Sequence, residues 1–241
     1  MHPIERLRAV ARARDVEQTL LATEAASVLG SLAFDPMSLV TSCRRLIDRH
    51  PAAGALWWAC ARLLAADDAR AEARRIALEL DDDPARIDLS LELPEGVVVT
   101  VIPDAAGGSD LGFDLAGMRD DLDVVEAGDS GPRSRDAGGI LLVESGAAGP
   151  DRFLGASGTG RAVAAAREAA AAVWLLVAVG RRLPGPLFDA LATRVDATTG
   201  EIIPSDRIDR IVEPRHVPCP CPPELLRPPP GQPGGGTGVR R

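Results

Sequence analysis

The stretch Gly155–Gly160, GASGTG, separates an apolar run from a helix-forming run. Its residue types suit one kind of chemistry, the holding of an anion. Backbone N–H groups of Gly158, Thr159 and Gly160 at a helix start point outward unpaired, and the helix dipole adds to their attraction for negative charge. Arg161 follows directly and would add charge-assisted hydrogen bonds to a phosphate. Upstream, Glu144 is the best-placed carboxylate and Gly146 lies two residues beyond it. Glu144, Gly158, Thr159, Gly160 and Arg161 therefore form the candidate ligand-binding set, with a small phosphorylated metabolite as its expected ligand. A plain structural turn is the competing reading of the same loop.

Other constellations carry less. The glycine spacing is not the G-x-G-x-x-G of a dinucleotide site, and Arg181 and Arg182, with no acidic residue, follow the next apolar run. An NADP-linked oxidoreductase using those two arginines is the weakest enzymatic reading, and no cofactor is expected. His216, Cys219 and Cys221 fall close together, but a closed zinc site wants four ligands, so no metal is expected either. Cys43 and Cys60 sit among apolar helical neighbours and read as core thiols. Histidine occurs at His2, His50 and His216 only, and no serine elbow with triad partners is present, so no catalytic residue is named. The chain has no lysine, which excludes a Walker A NTPase and Schiff-base chemistry.

Composition sets further bounds. Apolar residues at 46% and charged residues at 26% match a folded globular chain. A net charge of −8 speaks against nucleic-acid and anionic-membrane partners, which reward clustered positive charge. The longest apolar run, Ala169–Val179, falls short of the roughly 20 residues that span a bilayer. The charged start, Met1–Arg14, lacks a signal peptide's apolar stretch, and a reducing cytoplasm is the expected compartment.

The elements that would position the candidate site follow from periodicity. Ile4–Leu29 has helical spacing; Asp35 and Pro36 mark a helix start and His50-Pro51 its end. Leu56–Leu64, with Trp57 and Trp58, reads as a helix packing against a partner domain. Asp67 or Asp68 caps another that runs to Leu80. Gly96–Pro103 and Leu122–Ala127 read as strands flanking a short helix at Asp114–Asp121. Gly139–Val143 and Val173–Val179 read as further strands around the GASGTG loop and its helix. Glu201–Val212 supplies one more short element, and the Pro/Gly-rich end reads as disordered. The acidic clusters 81–83 and 120–123 read as solvated turns. Alternating strands and helices predict an α/β chain with a mostly parallel sheet. The expected divisions are a helical domain at 1–83, an α/β domain at 84–213 and a tail at 214–241.

The order of these elements resembles the family of initiation factor 2B regulatory subunits and methylthioribose-1-phosphate isomerase. The match centres on ILLV (Ile140–Val143), the turn ESGAAGPDRFL, Gly158-Thr159, the helix RAVAAAREAA and the strand VWLLVAV, with a weaker echo in Gly200–Val217. The resemblance implies a Rossmann-like (NagB/RpiA/CoA-transferase-like) domain behind the helical bundle, and a homodimer joined through the α/β domain. It also implies what is missing. Gly146 stands where the isomerases carry their catalytic aspartate, and on that ground the resemblance adds it to the candidate ligand-binding set; Gly155-Ala156 replace their Asn-Lys pair, and no cysteine lies between Cys60 and Cys219. Glycine and alanine side chains supply neither a general acid nor a phosphate clamp. The expected function is a non-catalytic binding or assembly protein; the alternative is an enzyme or sensor for a sugar phosphate or nucleotide at the Gly155–Gly160 loop.

Overall fold

The computed structural model describes residues 3–13, 16–31, 36–127, 139–213 and 215–227. The expected cap Asp35, most of the loop after Ala127 and the Pro/Gly-rich end from Pro228 lie outside them. Six helices come first: α1 (Pro3–Arg12), α2 (Gln18–Ser31), α3 (Pro36–Arg49), α4 (Gly54–Ala65), α5 (Ala69–Asp81) and α6 (Ala85–Glu92). Pro36 takes the first position of α3, and Asp68 caps α5 by accepting from the amides of Arg70 and Ala71.

Two sequence expectations change here. The stretch of helical spacing over Ile4–Leu29 is divided into α1 and α2, where Glu17 accepts from the Leu20 amide and restarts the helix. The break has a tertiary reason: it turns Gln18 inward, where the side chain is fully buried. Ala85–Glu92, to which periodicity assigned no element, is helical because Ala85 and Leu89 pack on the sheet.

A five-stranded parallel sheet follows, built from β1 (Val98–Ile102), β2 (Asp123–Glu126), β3 (Ile140–Glu144), β6 (Ala172–Leu176) and β8 (Arg210–Val212) in the order β2-β1-β3-β6-β8. The mostly parallel α/β fold read from the strand spacing is the fold of the chain. β3 is buried along its whole length, because both its faces are covered. Ile140 and Leu142 face one core with Val99, Val101, Trp174 and helix α7 (Leu111–Met118); Leu141 and Val143 face another with Val173, Leu175 and α8 (Thr159–Glu168). Helix α7 starts three residues before the expected Asp114, because the Ser109 hydroxyl accepts from the Leu111 amide.

The turn ESGAAGPDRFL is more than a turn. It contains β4 (Ala147–Ala148) and β5 (Arg152–Gly155), which join β7 (Glu201–Pro204) in an antiparallel sheet of three strands. Helix α9 (Gly185–Ala192) lies in a segment where the sequence pattern had faded.

Trp57 and Trp58 are fully buried, as packing against the α/β part requires. Their core includes Leu154, Val179, Leu187 and Phe188 from the α/β part. The fit is close at Gly180, whose φ is +79° and whose added Cβ would lie 3.0 Å from the Trp58 ring. No helix of the described residues is long and apolar enough to cross a membrane.

Candidate functional site

In a sheet ordered β2-β1-β3, the chain leaves β1 toward one side and returns on the other, so the crevice between the carboxyl ends of β1 and β3 is where ligands bind in such folds. Asp104 follows β1 and Glu144 ends β3 at that crevice. Both are buried, at 3% and 0% exposure. Between them lies Arg181, itself 1% exposed and carried there by the turn after β6.

Arg181 donates to Glu144 Oε1 at 2.7 Å and to the Ser145 carbonyl at 3.0 Å. Its other terminal nitrogen lies 3.5 Å from Asp104 and 3.7 Å from Glu17. Gln18 donates to Asp104 Oδ2 at 2.8 Å and accepts from the Ala55 amide at 3.1 Å. The Ser109 hydroxyl donates to Glu144, and Arg86 approaches the same carboxylate at 4.0 Å while pairing with Asp114. Among the described residues Arg181 Nε alone of this guanidinium has no partner. The network ties α2 to the ends of three strands. From sequence, Arg181 is linked only to a nicotinamide cofactor, and neither Asp104 nor Gln18 stands out. Nothing in local periodicity marks them, since they meet from positions 77 or more residues apart in the chain.

Burial pushes the Glu144 carboxyl upward, but the Arg181 charge, the Ser109 hydroxyl and Arg86 outweigh it, and its pKa lies below the usual value. For Asp104 burial wins: desolvation and the Glu144 charge exceed the help from Arg181 and Gln18, and its pKa lies above the usual value. Burial disfavours the Arg181 charge, yet Glu144 and Asp104 together hold it firmly protonated.

The GASGTG loop is also occupied from within. Gly158 sits at φ +89°, in the left-handed region that favours glycine, and its amide donates to Glu201 Oε1 at 2.7 Å. The Gly160 amide donates to Glu201 Oε2 at 2.9 Å. Glu201 begins β7, which pairs with β5 and brings the carboxylate over the helix start. The amides expected to hold a ligand's phosphate therefore hold a carboxylate of the chain. Thr159 is buried and its hydroxyl finds no partner among the described residues, while Arg161 is exposed. Gly146 is packed shut: a Cβ there would meet the Ala52 carbonyl at 3.1 Å and Leu154 at 3.2 Å. Of the six sequence-named residues, Gly158, Thr159 and Gly160 share the loop with Arg161, and Glu144 and Gly146 belong to the neighbouring crevice.

Arg182, the other arginine considered for a cofactor, is held by Glu213 and the Gly149 carbonyl. His216 contacts Glu213 at 3.2 Å, and no group of three or more metal-ligating side chains converges among the described residues. Beside the crevice runs a cleft of about 630 Å³ between the bundle and the loop after β1, lined in part by Arg12, Arg49, His50, Ala105 and Ala106.

No family model matches the chain, and no curated protein does. Solved structures do. The chain is similar to eIF2B beta from Chaetomium thermophilum, with a TM-score of 0.62 and 16% identity over 87% of this chain and 85% of that one. It is similar to a chain of the tetrameric eIF2B-beta2-delta2 complex from C. thermophilum, with a TM-score of 0.63 and 16% identity, covering 87% and 88%. A third match is the translation initiation factor eIF-2B of Pyrococcus horikoshii OT3, with a TM-score of 0.62 and 13% identity, covering 87% and 94%. The fold suggested by Ile140–Val179 is thus the fold of the whole arrangement, helices included.

Proposed function

We propose that this chain is a non-catalytic, eIF2B-like binding or assembly protein, related to that family and without its isomerase chemistry. One observation carries the reading: the carboxylate of Glu201 accepts from both loop amides, at 2.7 and 2.9 Å, where a phosphate would sit. The buried Arg181–Glu144 pair supports it, since a carboxylate committed to a guanidinium at 2.7 Å is a poor general base. The fold shared with a chain of a tetrameric complex supports assembly, which we read as a homodimer; the charged start of the sequence supports the cytoplasm as its compartment. Size-exclusion chromatography with light scattering tests the assembly part, with a dimer expected at micromolar concentration and a strict monomer refuting it. Thermal-shift measurements with sugar phosphates and nucleotides test the other part, and a stabilisation that grows with millimolar ligand would refute a sealed site.

A second reading is favoured by a different observation. The cleft of about 630 Å³ carries Arg12, Arg49 and His50, which suit the phosphate of a small sugar phosphate or nucleotide. An enzyme or sensor of that kind would bind there, beside Asp104. Under this reading Arg49→Ala removes a ligand-induced thermal shift that Arg161→Ala leaves in place.

A further inference from the structure

Residues 85–126 contain ten acidic side chains and two arginines; with Asp104 buried beside Arg181 and Glu92 paired with Arg210 set aside, eight acids still face two arginines. This segment builds one flank of the molecule: α6, β1, α7 and the edge strand β2. Both of its arginines are already paired, Arg86 with Asp114 and Arg119 with Asp121. Asp88, Asp110, Asp120, Asp123 and Glu126 make no salt bridge among the described residues.

Within that acidic field stands an apolar patch. Helices α6 and α7 pack side by side, joined by the Arg86–Asp114 pair and by Arg119, which donates to the Ser90 and Leu93 carbonyls. Their buried sides are spent on the sheet through Leu89, Leu111 and Leu115. Outward they present Ile87 and Leu91, one turn apart on α6, and Phe113 on α7, at 56%, 75% and 80% exposure. An exposed phenylalanine and two exposed aliphatics on adjacent helices are residue types that docking surfaces carry.

We infer that the α6–α7 face docks a partner protein that presents an apolar stripe flanked by arginine or lysine. Charge complementarity selects that occupant. A second copy would set acid against acid, and the same field repels nucleic acid and anionic lipid. The inference rests on the reading of the chain as a binding protein and specifies the chemistry of what it binds. Any homodimer then uses another surface.

The test uses the full chain and a fluorescein-labelled amphipathic peptide of about five helical turns, with leucines along one face and arginines at its edges. The control peptide carries glutamate in place of arginine. Fluorescence anisotropy is expected to show binding of the arginine peptide that weakens about tenfold between low and physiological salt, as screened charge contacts do. Leu91→Ser combined with Phe113→Ser is expected to weaken binding about tenfold or more, with an unchanged melting temperature because both side chains are exposed. Asp110→Asn with Asp120→Asn is expected to reduce the salt dependence. Equal binding of the glutamate peptide overturns the inference, as does unchanged binding by the serine variant. Conversion of a dimer to a monomer by the serine variant also overturns it, since the occupant is then a second copy. A strict monomer for the unsubstituted chain refutes the homodimer and leaves peptide binding to be read separately, so the two readings fail independently.

Discussion

Replacing Glu201 by alanine is the sharpest perturbation of the loop. The substitution removes a carboxylate that accepts from the Gly158 and Gly160 amides at 2.7 and 2.9 Å, at the start of a helix of 10 residues. Two donors lose a charged acceptor, and the favourable interaction with the helix dipole goes with them. Hydrogen bonds to a charged group contribute about 1.5–3 kcal/mol each when solvent cannot replace them. Both glycines are half-buried, so water recovers part of that sum. The expected loss is about 2 kcal/mol, at the upper end of N-terminal capping effects and about 4–8 °C in melting temperature for a chain of this size. The assay is urea unfolding of Glu201→Ala and the original chain, with and without inorganic phosphate. Phosphate should recover about 1.4 kcal/mol in the variant, by binding the emptied cradle at concentrations about tenfold above its Kd, and little in the original chain. Equal stability of the two proteins within about 0.5 kcal/mol, with no phosphate-specific recovery in the variant, would refute the view that Glu201 occupies an anion cradle.

Arg181→Met should destabilise the fold by about 3–5 kcal/mol in urea unfolding, because it leaves Glu144 and Asp104 buried without their cation. Adding Glu144→Gln to that variant should recover part of the loss, and an additive double variant would show the pair to be uncoupled. Stability should fall as the pH drops from about 5 toward about 3: Glu144 has a folded pKa below its unfolded value, so the unfolded chain binds more protons there. Asp104 works in the opposite direction, its stabilising share being present at low pH and lost as pH rises through its raised pKa. The Glu144→Gln variant should therefore show a flatter acid limb in urea titrations, and an unchanged limb counts against this assignment. Gly180→Ala should cost about 1–3 kcal/mol, because φ of +79° strains any L side chain and the new Cβ meets the Trp58 ring at 3.0 Å; thermal unfolding measures it.

The parts of the fold legible in sequence are those with a local cause. Pro36 and Asp68 announce helix starts through backbone geometry and a capping carboxylate. Ile140–Val143 and Val173–Leu176 announce buried strands through unbroken apolar runs, which a sheet covered on both faces demands. The two-residue β4 and the short α9 carry too few residues for periodicity to stand out, and they are stable only through contacts such as Ala147 with Leu154 and Phe188 with Gly149. The break after α1 was hidden for a related reason, since a buried hydrogen bond from Gln18 to Asp104 outweighs the helical spacing around it.

The candidate site divides along the same line. The sequence alone established a strand, a glycine loop and a helix in that order and the absence of lysine, and hence a loop shaped for an anion with few side chains to hold one. Tertiary structure decided that Glu201 fills the loop, that Arg181 neutralises Glu144, and that Phe113 stands exposed on α7 while Leu111 and Leu115 are spent on the core. Local spacing reports which backbone groups a turn leaves unpaired. Which charge comes to pair with them depends on strands and turns far away in sequence, and only the packed chain brings those together.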